Sequence, residues 1–304
     1  MENSLCNELL QNLPSKSDAV SLYSSYILCC VLNAFLSYST IMLNIATIYA
    51  VKRTPSLSRP LRILLLNLAG SDLGVGLLCQ PFLVTLLVKW LQDNNPSFST
   101  CTGFSIILTL FSSVSLLGVM VMSLDRFLAI YLHLRYQEVI THQRVTKVVI
   151  SLWVFSGFLS LVALWSPMNI TTVILFIFEI GCLVTTTFLN YKTYLAVRRH
   201  RNQINSLQVQ NTDEMANGLS IRKSALGAFY VYFVFVLCYL PHICSYAAVT
   251  IFGVKTAIKG LSIYTLTLMF LNSSLNPIIY CWKMRQIRCS VMDILRRALP
   301  RHNY

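Results

Sequence analysis

The chain has 304 residues, of which 55% are hydrophobic and only 12% charged, a balance too apolar and too poor in charge for an ordinary soluble domain. A net charge of +13 would favour nucleic acid if the basic residues formed one solvated patch. They lie instead at the ends of apolar runs, as in a membrane protein that meets anionic lipid, and nucleic acid is excluded as a partner.

The first 22 residues are polar and show no basic start followed by an apolar core. They predict an extracellular N-terminal segment without a cleavable signal peptide, insertion being directed by the first span. Apolar stretches then recur near 23–51, 61–89, 103–132, 145–167, 171–197, 225–251 and 261–281, each long enough to cross roughly 30 Å of hydrocarbon as a helix. The expected fold is all-α, a bundle of seven transmembrane helices over residues 23–281. Of 24 Lys and Arg, only Lys16, Lys89, Lys255 and Lys259 fall on the side of the N-terminus. Positive residues favour the cytoplasmic face, so the N-terminus is expected outside and the C-terminus inside.

Polar residues interrupt these spans at particular places. Span one carries Asn44, span two Asp72 within "LNLAGSDLGVG", span three Ser115, and span seven Asn272, Ser273 and Asn276. An ionisable group in a span costs about 2.5–3.5 kcal/mol on insertion scales, so Asp72 is expected to serve a function inside the bundle. Asn44 and Ser115 taken singly fit hydrogen bonding between helices equally well. Together the set offers the oxygens that suit a small cation or a water network. Prolines at 81, 241 and 277 each remove a backbone hydrogen bond; Pro81 is read as shape, Pro241 and Pro277 as hinges beside the polar cluster.

Between the spans, Asn169-Ile170-Thr171 fits a glycosylation acceptor. The polar stretch 202–220 reads as a cytoplasmic linker between spans five and six. Residues 282–304 read as an amphipathic helix and short cytoplasmic tail, with Met284, Ile287, Val291, Ile294 and Leu295 on one face and Arg and Lys between them. Cys281 and Cys289, beside the membrane among basic residues, are palmitoylation candidates. Most other cysteines lie inside spans, where cysteine acts as a small hydrophobe. There is no C-x-x-C pair, hence little support for a zinc or redox site.

Span three ends in "SLDRFLAI", where Asp125, Arg126 and Phe127 resemble the Asp-Arg-Tyr motif of rhodopsin-like G-protein-coupled receptors. The resemblance extends in order along the chain. Asn44 fits the family's helix-one asparagine, Leu68-Ala69-x-x-Asp72 its helix-two motif, Trp153 its helix-four tryptophan, and Asn276-Pro277-x-x-Tyr280 the motif that closes helix seven. Cys101 stands where the family keeps an outer cysteine.

The resemblance implies a plasma-membrane receptor, multi-pass, that activates a heterotrimeric G protein. Arg126 would be held by Asp125 at rest and released as helix six swings outward. Phe235, Tyr239 and Pro241 would form the helix-six switch, and Tyr191 and Tyr280 would support the open state. Asp72, Ser115, Asn272 and Asn276 would form a sodium pocket, no other metal and no further cofactor being expected. Family register places the ligand among Leu108, Ser112, Glu179, His242, Tyr246 and Leu266, an apolar pocket with few polar anchors, suited to a small amphipathic, lipid or peptide ligand. Glu179 and His242 are expected to bond each other or to share a polar group of the ligand.

Departures from the family pattern narrow the reading. Tyr239 stands where the switch usually has tryptophan, span five has no proline, and the outer loop before it has no cysteine, so Cys101 is expected to be a free or facultative thiol, with Cys6 as the alternative partner. These absences resemble the melanocortin, lipid and adenosine receptor branch. Leu108 replaces the aspartate of amine receptors and Phe270 the lysine of opsins, which argues against an amine salt bridge and a retinal Schiff base. Ile221 occupies the place of the acid that clamps the arginine, which predicts activity without ligand. No Ser-His-Asp, metal or phosphate-loop pattern occurs, so no enzyme is expected. The rival classes are a transporter or channel, which would want paired repeats that the two halves lack, and a receptor-like protein that does not signal.

Overall fold

The computed structural model describes residues 16–55, 57–92, 97–132, 135–165, 168–207, 212–253 and 255–298, with side chains left aside at some helix ends. Every extended element among these residues is helical. Helix α1 runs Lys16–Arg53; α2, Arg59–Gly74, continues through a π-helical turn at Val75–Cys79 into α3, Gln80–Leu91; α4 runs Phe98–Tyr131, and α5, Tyr136–Val139, is one turn. Then come α6 His142–Trp165, α7 Met168–Leu207, α8 Thr212–Phe252, α9 Thr256–Lys283 and α10 Arg285–Ala298.

Six helical stretches among the described residues are long and apolar enough to cross a bilayer: Leu22–Arg53, Arg59–Leu91, Ser99–Tyr131, His142–Val162, Val173–Arg199 and Phe229–Val249. The seventh crossing is α9, whose 28 residues reach about 42 Å at ~1.5 Å per residue. Its Asn272, Ser273, Ser274 and Asn276 are buried inside the bundle and lower its mean hydropathy.

The bundle packs polar residues among apolar ones in its interior and is apolar on its outer face. On α1 the buried face carries Asn33, Thr40, Asn44 and Thr47, while Ile27, Val31, Phe35 and Ile45 are exposed. That inversion is what lipid imposes, since lipid solvates apolar side chains and only neighbouring helices can satisfy polar ones. Asn33 accordingly donates to Thr267 Oγ1 at 2.9 Å, and Thr40 and Ser274 share a hydroxyl contact of 2.6 Å, tying α1 to α9.

Helix α4 is the central pillar, packed against α2, α6, α7 and α8. The side-chain oxygen of Ser97 caps it by accepting from the Thr100 amide. Gly74 of α2 lets it come close, because a Cβ there would stand 2.0 Å from the Phe111 ring. Trp153 of α6 meets the same ring edge-on, centroids 6.0 Å apart, and its Nε1 donates to Asn67 Oδ1 at 2.9 Å, joining α6 to α2.

Two expectations change in detail. Span two is not simply bent by Pro81: the helix widens into the π turn just before it, which leaves the Gly76 carbonyl facing a residue with no amide hydrogen. The Ser37 hydroxyl donates to that carbonyl instead, at 2.8 Å. The stretch 202–220 is largely helical, α7 continuing to Leu207 and α8 starting at Thr212. Gln203, Leu207, Glu214, Met215 and Ala216 are good helix formers, and a polar composition excludes burial rather than helix.

After Lys283 the backbone turns at Met284 and α10 leaves the bundle. Ile287 is fully buried against the core, and the hydroxyls of Ser290 and Thr54 meet at 2.7 Å, docking α10 on the inner end of α1. Cys281 is half-buried and Cys289 exposed. Cys6 and the side chains of Asn169, Ile221, Ile294 and Leu295 lie outside what is described.

Candidate functional site

At the C-terminal end of α4, Asp125 and Arg126 are both buried. Arg126 donates from Nε to Asp125 Oδ2 at 3.0 Å and from Nη2 to the same oxygen. The other carboxylate oxygen, Oδ1, accepts from the Tyr136 hydroxyl at 2.6 Å. Tyr136 sits on α5 in the connection between α4 and α6, where burial, then the charge of Asp125, pushes its phenol up from the ordinary value. Both effects keep it a donor at every physiological pH. Phe127, the third residue of the motif, stacks on Tyr131 with centroids 5.5 Å apart. Arg126 lies on a narrow crevice lined by Leu65 of α2, Met122 of α4, Val231 of α8 and Tyr280 of α9.

Deeper in the bundle, Asp72 is 0% exposed. Its Oδ2 accepts from Asn276 Nδ2 at 2.9 Å and its Oδ1 from Ser115 Oγ at 3.5 Å, while Ser115 also meets Ser71 Oγ at 3.3 Å. Asn44 supports the cluster from α1 by donating to the carbonyls of Ser273 and Thr40 at 3.0 and 2.9 Å. The side-chain oxygens of Asn44, Asn272, Asn276 and Tyr280 are buried without a hydrogen-bond partner. Buried polar atoms are normally paired, so oxygens left over around a carboxylate fit a hard cation or its waters. The family resemblance would place sodium among Asp72, Ser115, Asn272 and Asn276, of which Asp72, Ser115 and Asn276 are joined by hydrogen bonds; the ion would supply the positive charge that the buried carboxylate lacks.

Farther outward, Phe235 and Tyr239 of α8 are buried and stacked, centroids 4.0 Å apart and planes 23° from parallel, both on the N-terminal side of Pro241. Above them His242 is buried; its Nδ1 is 3.4 Å from Thr265 Oγ1, which donates to Ser245 Oγ at 3.2 Å, and its ring meets Tyr246 edge-on at 4.8 Å. The sequence pattern missed Thr265 and Ser245. Glu179 is half-buried on α7 and makes no hydrogen bond to His242, so the structure does not join that pair. Leu266 is buried, and Leu108 and Ser112 are half-buried on α4.

Tyr191 is also not brought to the cluster: it is 58% exposed on the outer face of α7. The neighbouring Asn190 points inward and donates to Ser123 Oγ on α4 at 2.9 Å. Tyr136 went unread as well, because it lies in a loop with no periodicity; its one signal was an aromatic hydroxyl in a short connection after an acidic helix end.

Comparison with known proteins agrees with this arrangement. The family model for the 7 transmembrane receptor (rhodopsin family) matches residues 43–169 and 163–280, which favours a receptor over a transporter or channel. The chain is 23% identical to adenosine receptor A2b of Bos taurus over 84% of its own length and 86% of the relative's. It is 24% identical to the histamine H2 receptor of Rattus norvegicus, covering 86% and 79%. It is 22% identical to the high-affinity lysophosphatidic acid receptor of Xenopus laevis, covering 82% and 76%. The chain belongs to the rhodopsin family of seven-transmembrane receptors and is a G-protein-coupled receptor for an extracellular ligand.

Proposed function

We propose that the receptor sits in the plasma membrane with its N-terminus outside, takes a small amphipathic ligand at the outer end of the bundle, and activates a heterotrimeric G protein by freeing Arg126. The observation that carries this reading is the Arg126 side chain held by Asp125 at the edge of a crevice between α2, α4, α8 and α9. Outward movement of α8 about Pro241 would widen that crevice and let the guanidinium, always charged and weakly hydrated, turn toward a partner. Of the 24 Lys and Arg, 20 fall on the side of the bundle away from the N-terminus, and positive residues favour the cytoplasmic face, which supports the orientation.

The ligand site would draw on Leu108, Ser112, Glu179, His242, Tyr246 and Leu266. Relatives named for adenosine and for lysophosphatidic acid make a nucleoside or a lysophospholipid the first probes. With Leu108 in place of an acid, an amine has no salt bridge to form on α4. Nucleotide exchange on a panel of G proteins, in membranes expressing this chain and its Arg126→Ala variant, tests the function. Exchange above the variant, raised further by one probe, is expected; equal exchange with both chains at the surface, and no response to either probe, would overturn it. His242→Ala and Glu179→Gln are each expected to weaken the active probe about tenfold, as the loss of a buried hydrogen-bonding group does. Unchanged half-maximal concentrations would move the ligand elsewhere.

A further inference from the structure

The place of the usual acidic clamp is taken by Ile221, yet the inner ends of α8 and α9 are joined by another contact. The Lys283 ammonium lies 3.7 Å from the centroid of the Tyr230 ring and 3.5 Å from that of the Trp282 ring. The two rings face each other at 5.5 Å, inclined by 55°. A cation within about 6 Å of an aromatic face is attracted by the ring quadrupole, most strongly for tryptophan. No carboxylate among the described residues lies within ion-pair distance of Lys283. Its stem runs past Gly227, where a Cβ would stand 3.7 Å from Lys283 Cβ, so the two backbones approach closely just below the rings.

We propose that Tyr230, Trp282 and Lys283 form a cation–π latch that holds the inner end of α8 against α9 in the resting receptor. This rests on the reading that α8 moves outward during coupling. Trp282 and Lys283 are neighbours on α9 and move together, so displacement of α8 breaks the Tyr230 contact alone. Lys283 also borders the crevice beside Arg126. Opening the crevice therefore releases two cations on the same surface, one from a carboxylate and one from a ring. The latch is a restraint of the resting state that needs no acid on α8, and it limits the ligand-free activity that Ile221 alone would predict.

The test is agonist-free nucleotide exchange in membranes with matched surface expression. Lys283→Gln, which keeps the stem and removes the charge, and Tyr230→Leu, which removes the ring, are each expected to raise exchange about three- to tenfold. The double variant is expected to rise no further than the larger single effect, since both break one contact. Tyr230→Phe and Lys283→Arg, which keep ring and cation, are expected to return exchange to near the parent level, which mere loss of packing would not do. If Lys283→Gln and Tyr230→Leu match the parent chain while Arg126→Ala lies below it, the latch is refuted and the coupling reading stands. If no variant, parent included, exceeds Arg126→Ala, both fall.

Discussion

Asp125→Ala is expected to raise agonist-free nucleotide exchange about three- to tenfold. Asp125 receives the Nε and Nη2 hydrogen bonds of Arg126 on one oxygen and the Tyr136 hydroxyl on the other. Hydrogen bonds to charged groups contribute about 1.5–3 kcal/mol. Breaking a buried pair by removing one partner costs more still, because a charge is left without compensation. That cost falls on the resting state, where the crevice around Arg126 is closed, and less on the open state, where the guanidinium reaches water or a partner. If about half of one such bond is differential, the active population rises roughly three- to tenfold, each 1.4 kcal/mol being a factor of ten. Tyr136→Phe removes one donor and leaves the ion pair, so its rise is expected to be about twofold. Asp125→Asn keeps an acceptor without the charge and belongs between the two. Exchange by Asp125→Ala at or below the parent level, with equal surface expression, would show that the carboxylate does not restrain Arg126.

The spans were legible because the bilayer sets one length, and a run of about twenty apolar residues is rare outside it. Asp72 and Asn276 were legible for the complementary reason: a polar group in hydrocarbon must be paired, and the structure pairs these two at 2.9 Å. The rest depends on contacts without a period. Tyr136 reaches Asp125 from a loop, and Tyr230 meets Lys283 across a distance in the chain that no local pattern encodes.

Which residues of a helix face the bundle depends on register. Counting along span five places Tyr191 at a family tyrosine that supports the open state; here it is exposed, and one residue is about 100° of helix rotation. In a helix without the family's proline, the buried face is the one made by Cys182, Thr186, Asn190 and Thr193. In that stripe Asn190 reaches Ser123 on α4, while Thr186 and Thr193 each bond a carbonyl one turn back; the exposed tyrosines can remain in lipid. Composition read 202–220 as a linker apart from the membrane, and its helix formers extend α7 and α8 through much of it.

Sodium is expected to raise the thermal unfolding midpoint of the detergent-solubilised receptor, relative to choline at equal ionic strength, and Asp72→Asn is expected to abolish that response. A ligand that binds only the folded state at ten times its dissociation constant stabilises by about 1.4 kcal/mol. Asp72 carries the one formal charge among the cluster residues, and the side-chain oxygens of Asn272 and Asn276 are buried without a hydrogen-bond partner. Asparagine at 72 retains an oxygen to accept from Asn276 Nδ2, so the helices stay joined, but the attraction for a cation is gone. Its baseline in choline is expected to equal or exceed that of the parent chain, because a buried carboxylate without a counter-charge is itself costly. Ser115→Ala, which keeps the charge and removes one oxygen, is expected to respond to sodium at higher concentration. A sodium response that survives in Asp72→Asn would place the ion elsewhere. No response in the parent chain, with Asp72→Asn more stable in both salts, would mean that the carboxylate is satisfied by water and protons alone.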